Sequence, residues 1–354
     1  MMLSRRALGG GAAAAALTTP RRSRAASSPA PAPPLPLVLG TCCPCELTAG
    51  TGDELLDLDD AALDALLLGG AADGSVDTAQ QSAVCDLTYA QVLAGARAGF
   101  VAFDTAAHYE NEESVGAALR QAATEGVLDE KSEVISKVWV DRLSFDGVLQ
   151  SAERSAMRVG ARSNGVSLTL LLHFPGDPLA ALAAPEASRR ARKDAWRGME
   201  RCLDDGLVDR IGVANFSVRH MNELLGFAKI LPAVNQAEFH PYCAQEALLK
   251  VCKEAGVEVQ AASPFAHGEL GLLRDERLAR MASPRGISVA QLCLAWLLER
   301  GIRPVVGASS KAHIEEALLT PQVALPLALS EQEAAIIRAL DRDVHAGFNP
   351  NDIP

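Results

Sequence analysis

Phe103-Asp104-Thr105-Ala106-Ala107-His108-Tyr109-Glu110-Asn111-Glu112 is the stretch whose reading decides the fold. An acid leaves the end of a short apolar run, and a tyrosine follows five residues later. Two later segments are built alike. Ile135-Ser136-Lys137-Val138-Trp139 carries a lysine at the end of its run, and Leu171-Leu172-His173-Phe174-Pro175 carries a histidine. Parallel strands that close into a barrel aim residues from several strand ends at one mouth. The pattern predicts that architecture.

Working outward, apolar runs alternate with helical patterns, the signal for βαβ units and a parallel sheet. Strands are expected at 35–41, 99–103, 133–138, 166–172, 210–214, 233–237, 257–262 and 303–306. Between them, Trp196, Met199 and Leu203 share a helix face, with Gly206 as a left-handed stop. Ser217 and Ser288 are expected to cap helices that turn Met221, Leu224, Leu225 and Ala228, and Val289, Leu292, Cys293, Trp296 and Leu297, inward. Eight strands are the number that closes an α/β (β/α)₈ TIM barrel.

The 354 residues carry a net charge of −11. Such an acidic surface argues against nucleic-acid and anionic-membrane partners. No apolar run approaches the length of about 18 residues that marks a spanning helix. Residues 1–35 are read as a transit peptide and Pro-rich linker, a disordered extension before a barrel at 36–345. The first 45 residues hold no acid and include Arg5, Arg6, Arg21, Arg22 and Arg24, a composition of organelle targeting. Plastid is the expected destination, with mitochondrion or cytoplasm as alternatives, and Ser4-Arg5-Arg6 also fits twin-arginine export. Residues 46–86 read as an acidic insertion with a helix near 55–68. Cys42-Cys43-Pro44-Cys45 lacks a second Cys/His pair at zinc spacing, so no metal is expected. Residues 346–354 read as a short polar tail that makes few contacts with substrate.

Alone, each polar strand-end residue has an ordinary reading. Asp104 caps a turn, Tyr109 is a surface aromatic, Lys137 begins a loop, and His173 is a bonded core residue. Lys137 could also be a Schiff-base amine, as in an aldolase-type barrel. Together the four fit one chemistry. When hydride attacks a carbonyl carbon, charge builds on the oxygen and a proton donor must stand within reach. A phenol titrates near 10. A nearby Lys137 ammonium would lower that value by favouring the phenolate. Asp104 would hold the ammonium, and His173 would orient the carbonyl. The hydride needs a cofactor, because no side chain donates one.

The order of motifs resembles that of the aldo-keto reductases over roughly residues 87–340, plus the first strand. Besides the segments quoted above, the likeness rests on Gly206-Leu207-Val208-Asp209-Arg210-Ile211-Gly212-Val213-Ala214-Asn215-Phe216-Ser217, Val234-Asn235-Gln236, His240-Pro241-Tyr242 and Ser263-Pro264-Phe265. The resemblance implies a nicotinamide cofactor, NADPH with NADH possible, and a catalytic set of Asp104, Tyr109, Lys137 and His173. It also implies carboxamide contacts from Asn215 and Gln236. Ser263 and Phe265 would cover the pyrophosphate, Ser309 would meet phosphate, and Trp139 and Phe174 would wall the substrate pocket. The expected partner is a small carbonyl compound, bound by a monomer. Four departures stand out: Ala214 in place of the usual serine, Ala262 in place of a stacking aromatic, no Pro-Lys-Ser after Val305-Val306 with His313 near the expected arginine, and the extra residues 46–86. A non-catalytic, cofactor-binding redox sensor is the alternative function.

Overall fold

The computed structural model describes residues 37–41, 78–129, 131–268, 270–308, 310–324 and 329–354. The expectations for residues 1–35, the Cys42–Cys45 cluster, a helix near 55–68 and Ser309 lie outside these residues. Eight parallel strands close on themselves in chain order. They are β1 Val38–Gly40, β2 Ala102–Asp104, β3 Glu133–Val138, β4 Ser167–Leu172, β5 Arg210–Ala214, β6 Val234–Glu238, β7 Glu258–Ala262 and β8 Ile302–Gly307. Closure is made by β1 on β8, with Val38 beside Val305. The barrel helices are α1 Thr78–Ala98, α2 Glu112–Thr124, α3 Phe145–Val159, α4 Pro185–Asp204, α5 Val218–Leu225, α6 Glu246–Glu254, α7 Val289–Glu299 and α8 Lys311–Val323, followed by α9 Glu331–Arg338.

Every expected strand is present. The second starts later than the apolar run suggests, because the N–H groups of Gly99 and Phe100 both donate to the Gly95 carbonyl, at 3.0 and 2.9 Å, and finish α1. Residues 78–86 of the expected insertion are the first turns of that helix. Ser288 caps α7 as predicted, accepting from the Gln291 N–H at 3.0 Å. On the inward face of α4, Trp196 and Met199 are fully buried as predicted, whereas Leu203 is half-buried and Cys202 beside it is fully buried. Removing a methionine-sized side chain from water contributes about 1.5–3 kcal/mol.

Strand periodicity then places the polar residues. Val38, Ala102, Ile135, Leu171, Ala214, Val234 and Val305 fill the barrel interior as a cluster separate from the shell between strands and helices. Side chains two residues apart on a strand share a face. Asp104, Lys137, His173 and Gln236 each follow one of these interior residues by two, so all four turn inward at the C-terminal mouth. The same rule puts Glu133, Arg210, Glu258 and Arg303 inside the opposite end. There Arg210 binds Glu258 at 2.8 Å, and Arg303 pairs with both Glu133 and Glu258. The floor is thus a neutralised ion network, consistent with the stabilising role of that barrel face.

Gly116 marks a close approach of α2 to the end of α3. A Cβ there would meet the carbonyl oxygens of Arg158 and Val159, the latter at 2.6 Å. Gly116→Ala should cost about 1–3 kcal/mol by overpacking, read as a lower urea midpoint.

The chain beyond α9 folds back onto the barrel, and Ile353 is fully buried. Its carbonyl lies 2.9 Å from His220 Nε2. Burial, then the Arg192 charge, push His220 down to about 4, although the Ile353 carbonyl opposes this. The unfolded chain therefore takes up this proton first. Stability is full above about 6.5, the ordinary histidine value, and falls as pH drops towards 4. Denaturation between pH 7 and 4 should show that decline, with a shallower slope in His220→Asn.

Candidate active site

Lys137 is the hub of the mouth. Its Nζ donates to Asp104 Oδ1 at 2.5 Å, to the Thr105 carbonyl at 2.9 Å and to Tyr109 Oη at 3.5 Å. The lysine and the acid are 1% and 2% exposed. Three partners use all three ammonium N–H groups. No lone pair remains for imine formation, so the aldolase-type reading of Lys137 has no support in this geometry.

The other Asp104 oxygen accepts from Gln236 Nε2 at 2.7 Å, and that amide also donates to Gln260 Oε1 at 3.1 Å. Gln260 in turn donates to Glu258 at 2.9 Å. A continuous polar chain thus runs along the barrel from its floor to Tyr109. Tyr109 ends a single 3₁₀ turn, Ala107–Tyr109. That loop is held by Asn111, which accepts from Thr105 Oγ1 at 2.6 Å and donates to the Thr41 carbonyl at 3.1 Å.

His173 stands edge-on to the Tyr109 ring, with centroids 5.7 Å apart. Burial holds its pKa well below the usual histidine range, and the charges of Lys137 and His108 add to that. The imidazole is neutral and can offer one N–H. Its Nδ1 is buried and has no hydrogen-bond partner among the described residues.

These groups open into a cleft of about 810 Å³, near the upper end of the range for small-molecule sites. Asp104, Tyr109, His173, Phe174, Asn215, Gln236, Ser263 and Phe265 line it. Asn215 donates to the His173 carbonyl at 2.9 Å, and Ser263 Oγ lies 2.8 Å from His267 Nε2. Neither the Asn215 nor the Gln236 amide oxygen accepts a hydrogen bond within the described residues. Asn215 and Ser263 both hold positive φ, 58° and 48°. Strained backbone of this kind gathers at ligand sites. Ala262 lines the cleft, as does His313 of α8, and Ala214 packs in the barrel interior.

Trp139 does not line this cleft. Its indole stacks on His108 at 3.7 Å and borders a second, polar cleft, reaching the first through Phe174 at 5.8 Å. The sequence reading missed His108, Glu238 and Phe348. It also took the tail to make few contacts with a bound substrate. Instead Gly347 and Phe348 line the cleft, and the Phe348 ring lies 6.0 Å from Phe174. An aromatic in a polar stretch was the available signal.

The family model described as "Aldo/keto reductase family" matches residues 65–342. The chain belongs to the aldo/keto reductase family. As a member it is an oxidoreductase, and the closed barrel is the fold it shares with that family's solved structures. This aldo/keto reductase is 34% identical over 262 residues to the glyoxal reductase of Bacillus subtilis (strain 168), covering 74% of this chain and 86% of that protein. It is also 34% identical over 239 residues to deoxymugineic acid synthase 1 of Oryza sativa subsp. japonica, covering 64% and 74% of the two chains. The crystal structure of a Bombyx mori aldo-keto reductase in complex with NADP matches it with a TM-score of 0.64 at 25% identity, covering 89% of this chain and 92% of that one. No helix among the described residues is long and apolar enough to cross a membrane.

Proposed function

We propose that this protein reduces small aldehydes and ketones with NADPH, using Tyr109 as general acid. The observation that carries the reading is the Lys137 ammonium, held between the Asp104 carboxylate and the Tyr109 hydroxyl at the cleft. The cleft suits the cofactor. Its volume gives room for a ligand, and the amides of Asn215 and Gln236 line it as polar groups. NADPH, when bound, supplies the hydride.

Asn215 and Gln236 would hold the carboxamide, since an amide pairs with an amide by donating and accepting at once. Ser263 and Phe265 would lie along the pyrophosphate, and Ser309, beyond the described residues, near phosphate. Tyr109 gives its proton to the carbonyl oxygen as charge develops there. Lys137 favours the phenolate left behind, and Asp104 keeps the ammonium in place. Neutral His173 donates to the same oxygen and fixes the carbonyl's direction. Phe174 and Phe348 exclude water from the reacting face, with Trp139 supporting Phe174 from behind.

NADPH consumption followed by absorbance with 4-nitrobenzaldehyde and with glyoxal tests the proposal. Multiple turnovers with either aldehyde are expected. Tight NADPH binding without turnover of any aldehyde would instead favour a redox-sensing barrel. The acid-free, arginine-containing residues 1–45 support plastid import. A fusion of these residues to a fluorescent protein should accumulate in plastids, and a diffuse cytoplasmic signal would count against it.

A further inference from the structure

The loop after β6 and the chain beyond α9 meet at the edge of the cleft. Cys243 comes from the loop and is fully buried. Asp343 and His345 come from the tail. One ligand atom from each of the three lies within 4.8 Å of the others. The Cys243 sulfur is 3.7 Å from His345 Nε2 and 3.8 Å from Nδ1. A tetrahedral zinc ion with ordinary Zn–S and Zn–N bonds needs its sulfur and nitrogen about 3.6 Å apart.

Glu238 decides which ring nitrogen is free. Its Oε2 lies 3.0 Å from His345 Nδ1. Its Oε1 accepts from the Ala346 N–H at 2.7 Å and lies 2.8 Å from His240 Nε2. A carboxylate on Nδ1 holds the proton there and leaves Nε2 unprotonated. The sulfur, almost equally far from both ring nitrogens, stands over the ring face, so a turn of the imidazole brings the Nε2 lone pair onto the ion. Metal-binding histidines are oriented in this way. The two segments are also pinned together without a metal. The N–H groups of Arg342 and Val344 both donate to the Tyr242 carbonyl, at 3.1 and 3.2 Å. The ligands are therefore brought together by the fold before any ion arrives.

We infer that Cys243, Asp343 and His345 form a binding site for one divalent ion of the zinc class, with Glu238 as the outer carboxylate. Sulfur and imidazole ligands favour zinc or cobalt over magnesium or calcium. Binding releases the Cys243 thiol proton to solvent. The exposed side of Asp343 leaves the fourth position to water. The ion would fasten the tail to the barrel beside Gly347 and Phe348, which line the cleft.

Cobalt(II) is the probe, because a cobalt–thiolate bond gives a near-ultraviolet charge-transfer band. The reduced, chelator-treated full chain is titrated in a Cys42→Ser/Cys43→Ser/Cys45→Ser background, which removes the other thiol cluster. One cobalt per chain is expected, with the band developing at that stoichiometry and bleached by zinc. Cys243→Ala should abolish the band. Glu238→Gln should weaken binding by about 10–100-fold. If Cys243→Ala does not fold, the exposed Asp343→Ala variant decides, with at least tenfold weaker binding expected. Absence of a band in the triple-serine background, or a band of unchanged strength in Asp343→Ala, would overturn the site.

Discussion

Tyr109→Phe should lower kcat for carbonyl reduction by about 10²–10⁴-fold, the usual contribution of a positioned general acid. Only the hydroxyl is removed. The phenyl ring can keep its position 5.0 Å from Lys137 Nζ and its edge contact with His173. Cofactor affinity should therefore change little, because the amides of Asn215 and Gln236 are untouched. Stopped-flow single turnovers with saturating NADPH separate the two effects, since binding and hydride transfer appear as distinct phases. A variant that retained most of its transfer rate would transfer the acid's role to another group, with His173 next in line.

Lys137→Met should be the more damaging change, because it acts on stability as well as chemistry. The Asp104 carboxylate would remain buried with Gln236 as its remaining side-chain donor, at 2.7 Å. Removing one partner of a buried ion pair costs about 3–5 kcal/mol, because the other charge is left uncompensated. Activity should fall with it, and any residual rate should shift to higher pH as the phenol loses its cation. The two consequences can be separated. Adding Asp104→Asn to Lys137→Met removes the stranded charge, so the double variant should regain much of its stability. It should not regain activity. A double variant as active as the wild type would show that the ammonium serves only the fold.

Much of this was legible in the chain. The eight strands could be read because parallel strands buried on both faces are continuous apolar runs. The mouth could be read because Asp104, Lys137 and His173 interrupt those runs at the same relative place, two residues beyond an interior side chain. What could not be read depends on contacts distant in sequence. Glu238 lies one residue past the expected end of its strand, and its partner His345 is 107 residues away. No local pattern encodes that pairing. The inward fold of the tail rests on similar contacts, such as His220 with the Ile353 carbonyl across 133 residues. Trp139 shows a different limit. The family resemblance implied a pocket wall, yet stacking on His108 turns its indole towards the neighbouring cleft. The link from Gln260 through Gln236 to Asp104 was hidden because two strands had to be brought into register before the amides could meet.

The account depends on a cation making one phenol more acidic than its free counterpart. The chain has three tyrosines. Tyr242 is pushed up by burial and by its hydrogen bond to Asp275, so it ionises outside the range of interest. An alkaline ultraviolet titration of the wild type minus that of Tyr109→Phe cancels Tyr89 and Tyr242 and isolates Tyr109. The account predicts that the difference follows a group titrating clearly below about 10, the value of an unperturbed tyrosine. A difference spectrum that titrates at or above that value would contradict it.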